Sequence, residues 1–220
     1  MYTQPVSESR SHGADWSDRL SSAAGDFASE ILSLRLLDEA QRADFILNYR
    51  DESGGRRAID LLVLQWLLDL TPELGATDNS FDSRVWRALC AKEDVLGLLS
   101  PSGPFTQTGD SIGIEVWTEV ELRTLHAAWN SAIDRGSART TSRCLAAARW
   151  HLENIQPDNA TNIPWAIHLF AALADDGDAS ADIHAQTQLH AALTGRREPS
   201  RLTSLVLLDA SEMHRLWRGD

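Results

Sequence analysis

Only two of the 220 residues are cysteines, Cys90 and Cys144, and they stand far apart in no metal-ligand spacing. That scarcity speaks against a disulfide-stapled scaffold and fits a reducing compartment. Positive charge is also short: 20 Lys and Arg face 32 Asp and Glu, and the net charge of -12 argues against a nucleic-acid partner. Long apolar runs are missing. The longest, residues 59–70, contains Asp60, Gln65 and Asp69, and is too short and too polar to cross a bilayer. No basic stretch followed by an apolar one opens the chain, so the expectation is a cytoplasmic protein without a membrane partner. No segment alternates apolar and polar residues as a half-buried strand would, and no hairpin turn joins two such segments.

What remains is helical. Apolar residues recur at helical spacing over residues 26–49 (interrupted near Asp38), 56–70, 82–99, 115–134, 139–155, 163–174, 181–194 and 200–217. The second of these is apolar nearly all round, which predicts burial on more than one side. Short connections between consecutive helices favour antiparallel hairpins. The expected fold is therefore all-α: stacked antiparallel helical hairpins. Residues 1–14 are polar and Ser-rich and read as a disordered tail. Residues 15–99 form an N-terminal helical half and 115–220 a C-terminal one, expected to share one domain. Between them, residues 100–114 are a loop rich in Pro and Gly. Eight Trp against two Tyr point to thick helix packing or an aromatic-lined cleft.

The densest concentration of chemistry lies around residues 150–168. Trp150 and His151 end one apolar helix, Trp165 and His168 begin the next, and a polar turn-forming loop, 156–162, joins them. Asp158, Asn159, Thr161 and Asn162 carry short side chains that bond nearby backbone, and Asn162 is suited to cap the helix that follows. A capped turn that simply reverses the chain explains much of this. His168, however, is the one polar side chain in an apolar helix, so it needs a hydrogen-bond partner, and burial would lower its pKa. Asp158 and Asn159 are the nearest candidates. His151 shares the apolar face of its own helix, so His151, Asp158 and His168 form a candidate acid–base or divalent-metal set. By contrast, Asp175, Asp176, Asp178 and Asp182 lack the ligand spacing of a calcium loop, and Asp178 or Ser180 is suited to cap a helix. His184 and His190 are expected at the surface.

Leu152, Gln156, Pro157, Asp158 and Asn159, leading to Trp165, resemble the repeat of the α/α-toroid proteins, the superfamily of squalene/terpene cyclases and protein prenyltransferases. Those repeats are helical hairpins in which a Gln and a Pro-Asp-Gly turn precede a Trp. The resemblance covers residues 150–174 only. Asn159 and Ala160 replace the glycines, and Asp175-Asp176-Gly177-Asp178 does not match the acidic catalytic motif of the cyclases. The resemblance implies a partial α/α-toroid or α-solenoid-like array and carries over no catalytic residue. Two functions fit these residues. The favoured one is a non-catalytic binding or scaffold module that recognises a protein or small ligand near residues 156–168, through Trp150, Asn159, Asn162 and Trp165. The alternative is an enzyme using His168 and Asp158 as catalytic groups, with His151, His168 and Asp158 as ligands if a divalent metal is the cofactor.

Overall fold

A computed structural model describes residues 15–50, 58–68, 70, 80–106, 113–155, 163–194 and 200–219. The polar N-terminal stretch and the 156–162 loop lie outside these. Among the described residues the protein is all helical: α1 (Trp16–Ala23), α2 (Phe27–Leu34), α3 (Glu39–Asn48), α4 (Ala58–Leu67), α5 (Phe81–Cys90), a 3-10 turn (Leu96–Leu98), α6 (Ile114–Asp134), α7 (Ala138–Asn154), α8 (Ile167–Asp175), α9 (Ala179–Leu193) and α10 (Arg201–Arg218). None of them is long and apolar enough to cross a membrane.

Local chemistry sets most of the boundaries. Asp15, Ser80, Ser137, Asp178 and Ser200 each cap a helix with a side-chain oxygen, and Asp38 and Gln41 form a reciprocal capping box at the start of α3. That box is why the 26–49 pattern splits into α2 and α3. The sequence reading began its first helix at residue 26. It missed α1, whose only capping signal is the Asp15 carboxylate accepting from the Ser17 amide at 3.0 Å. The expected 82–99 helix is also shorter: α5 ends at Cys90, and Lys92 turns the chain with a positive φ of 54°. Asn162, the cap expected for the helix after the loop, lies outside the described residues. That helix starts at Ile167, behind Ala166 in the left-handed region at φ 58°.

The helices divide into two kinds. In α7 only Thr140, Arg143, Cys144, Ala147, Ala148 and His151 are buried, and in α9 only Ala181, His184, Ala185, Gln188 and Ala192. Each set is a single stripe at helical spacing, the mark of an outer helix. By contrast, α6 is buried at every residue from 121 to 132, α8 from 167 to 173 and α10 from 202 to 207. Such runs cover all directions around a helix, so α6, α8 and α10 are enclosed on every side over those residues. Consecutive helices pack together through α4, α5, α6 and α7, and again as α8 with α9. The last helix then returns: α10 touches α1, α2, α4, α6 and α8. One hydrophobic cluster accordingly runs from Trp16 to Ala210.

Candidate functional site

Among the polar residues that α6 buries in this core are Glu121, His126 and Asn130, at 0%, 1% and 0% exposure. The last two meet Asp209, which stands in an apolar stretch of α10. The Asp209 carboxylate accepts from His126 Nε2 at 2.7 Å and Asn130 Nδ2 at 2.7 Å on one oxygen, and from Trp66 Nε1 at 3.0 Å on the other. His126 Nδ1 accepts the Ala166 amide at 3.0 Å, so its proton sits on Nε2, facing Asp209. Asn130 spends its amide nitrogen on Asp209 and turns its oxygen to His168 Nε2 at 2.8 Å. The result is one chain of directed hydrogen bonds joining α4, α6, α8 and α10 to the left-handed residue at the entrance of α8.

His168 is thus sealed at 0% exposure, with Asn130 as the described partner of its Nε2. Burial, followed by the nearby His126 and His214, holds its pKa well below the ordinary histidine value. Trp165 is sealed too, its ring edge-on to those of Trp86 and His126. His151 belongs to a different group. It stacks on Trp117 with centroids 6.0 Å apart, and its Nε2 lies 3.5 Å from Glu121 Oε1. Trp150 meets Trp117 edge to face. Asp158, Asn159 and Asn162 lie outside the described residues. Among those described, no group of three or more His, Cys, Asp or Glu is placed to hold a metal ion. Contrary to the sequence reading, His184 is buried, against Phe170, and only His190 is exposed.

Glu121 organises a second region. Its carboxylate takes the amides of Phe105 and Thr106, both at 2.6 Å, and the Thr106 hydroxyl at 2.5 Å. Arg143 on α7 grips the same loop, donating to the carbonyls of Ser100 at 2.7 Å and Gly103 at 2.8 Å while its guanidinium lies over the Phe105 ring. Burial lowers the Arg143 pKa, opposed by Cys144 and Glu121. The loop so held forms one wall of a cleft of about 590 Å³, whose apolar surface comes from Phe81, Leu98, Leu99, Phe105, Trp117 and Val120. Ser80, Ser100 and Thr106 add hydroxyls, and among the described residues no charged one is in the lining. A smaller cleft of about 340 Å³ lies over Asp209 and Trp66. There Arg35 pairs with Glu212 at 2.7 Å and Arg42 donates to the Leu68 carbonyl at 2.5 Å, so its charged side chains are engaged within the protein.

Sequence reasoning missed Glu121, His126, Asn130, Arg143 and Asp209. One signal was present: Asp209 interrupts the apolar run from Leu205, and His126 and Asn130 stand four apart, on one face of α6. No family model, curated protein or solved structure compared with this chain matches it.

Proposed function

We propose that this protein is a non-catalytic, cytoplasmic helical binding module that takes a small ligand in the cleft between α5, the 99–106 loop and α6. One observation carries the reading. His126, His168 and Asp209 are sealed and engaged between helices, whereas an open cleft of about 590 Å³ is lined, among the described residues, by apolar and hydroxyl side chains. Apolar clefts of a few hundred Å³ with a few polar groups are the usual form of a small-molecule site. Because Trp165 and His168 are sealed, this reading moves the binding face from residues 156–168 to that cleft. The meeting of α4, α6 and α8 on α10, with single-striped α7 and α9, supports treating the hairpins as part of an α/α-toroid-like array.

The test is a thermal-shift screen of small molecules, with chromatography of every hit after long incubation. A ligand binding only the folded state raises Tm. Recovery of that hit unchanged supports a binding module; its steady conversion by the protein would replace the reading with an enzyme. A metal arm uses zinc, manganese and magnesium on the wild type and on His168→Ala. Stabilisation by one of these ions that disappears in the variant would establish the metal-dependent alternative.

A further inference from the structure

The hydrogen-bond chemistry of the cleft narrows what it accepts. Each lining hydroxyl already donates within the protein: Ser80 to Ser83 Oγ at 2.9 Å, Ser100 to the Ser102 carbonyl at 3.0 Å, and Thr106 to Glu121 at 2.5 Å. The amides of Phe105 and Thr106 are likewise spent on Glu121. Trp117 presents its ring while its Nε1 is itself buried away from solvent. The Ser80 oxygen also accepts the Ser83 amide; what the Ser100 and Thr106 hydroxyls offer a guest is lone pairs, which accept hydrogen bonds and do not donate them.

We propose that the cleft selects an uncharged, largely apolar molecule of drug-like size that carries a hydroxyl or N–H donor, and that it rejects anions. This rests on reading the cleft as the binding site. An anion entering it would lose its hydration without gaining a cationic partner or a hydroxyl donor from the described lining. The cleft volume suits a two- or three-ring compound rather than a protein segment. The wall is also set before a guest arrives. The buried carboxylate of Glu121 and the guanidinium of Arg143 hold the loop through four hydrogen bonds to its backbone and one to the Thr106 hydroxyl, all shorter than 3.0 Å. A wall ordered in advance lowers the ordering cost of binding.

The experiment uses the full chain and two fluorescent probes with one aromatic skeleton: N-phenylnaphthylamine, which is uncharged with one N–H, and its sulfonate, anilinonaphthalene sulfonate. Val120→Phe and Leu98→Phe each fill the cleft from a partly exposed position. The uncharged probe is expected to bind saturably, about tenfold or more tighter than the sulfonate. Each variant should weaken it by about tenfold or more at unchanged helix content. If one variant fails to fold, the other decides. Equal or tighter binding of the sulfonate, lost in the filled variants, overturns the ligand class and leaves the binding reading standing. No saturable binding of either probe, or binding untouched by both substitutions, overturns the cleft as a site altogether.

Discussion

Asp209→Ala is the sharpest perturbation of the buried network. It removes the acceptor shared by His126 Nε2, Asn130 Nδ2 and Trp66 Nε1. Trp66 is only half-buried beside the small cleft, so water can replace its lost partner. His126 and Asn130 are sealed at 1% and 0% exposure, and their donors are left with nothing. A buried orphaned donor costs about 1–3 kcal/mol, which gives about 2–6 kcal/mol for the two. Against a total stability of about 5–15 kcal/mol, that is a large share. At about 2–4 °C per kcal/mol for a domain of this size, Tm should fall by roughly 4–24 °C. Asp209→Asn keeps one oxygen and loses the other, so it should cost about 1–3 kcal/mol. The control is Glu212→Ala, which breaks a half-exposed pair with Arg35 and should change stability by less than about 1 kcal/mol. Urea titrations followed by far-UV circular dichroism give all three values. An Asp209→Ala protein within about 1 kcal/mol of wild type would refute the argument that these bonds hold the helices together.

Stability should also depend on acid. Burial, and after it the charge of His151, lowers the His184 pKa from 6.5 to about 4. The unfolded chain takes up a proton below about pH 6.5 that the folded chain refuses, so stability is fully present above that value and drains away as the pH falls toward about 4. The loss is on the order of 3 kcal/mol, with His168 adding in the same direction. His184→Phe, against Phe170, should flatten the fall in urea midpoints; an unchanged profile would count against His184 as its source. Glu121→Gln keeps one oxygen where two now accept, so hydrogen exchange at the amides of Phe105 and Thr106 should accelerate roughly ten- to hundredfold. Protection equal to wild type would show that something else holds the loop. Finally, burial pushes the Cys90 thiol to about 12, against a smaller opposing backbone hydrogen bond, and raises Cys144 despite Arg143. Sealed Cys144 should not react with dithiobis(nitrobenzoate) near neutral pH until denaturant is added, and half-buried Cys90 should react slowly for want of thiolate; prompt labelling of both in the folded protein would contradict this.

Residues whose partners are local in sequence were the legible ones. Cys144, Ala148 and His151 in the stripe of α7 follow from spacing alone, and Asp178 and Ser200 lie where capping chemistry puts them. The start of α8 was not legible, because it is set from a distance. Ala166 holds a left-handed conformation that costs an L-residue about 1–2 kcal/mol, and His126, forty positions earlier, accepts its amide. The partner of His168 was sought in the adjoining loop; the described one is Asn130. His126 and Asp209 stand 83 positions apart, and Glu121 meets a loop 15 residues away. Periodicity identifies a buried face but says nothing of which polar groups meet across it. His184 misled for a related reason: a histidine in a polar stretch reads as exposed until the neighbouring Phe170 is in place.

These polar groups also answer a question that the apolar ones leave open. A helix buried on every side, as α6 is from 121 to 132, gains nearly the same hydrophobic energy in many rotations about its axis, because that energy has no direction. Hydrogen bonds do have direction. Turning α6 by one residue, ~100°, would carry Glu121, His126 and Asn130 away from Thr106, Asp209 and His168 together. At about 1–3 kcal/mol for each buried group left unmatched, the wrong rotation costs several kcal/mol, a large fraction of what a domain has in total. The same bonds that engage His126 and His168 in the core therefore fix the face α6 shows to its loop. That face carries Trp117 and Val120 into the cleft and Glu121 beneath its wall, so the core network and the proposed binding site depend on one choice of rotation.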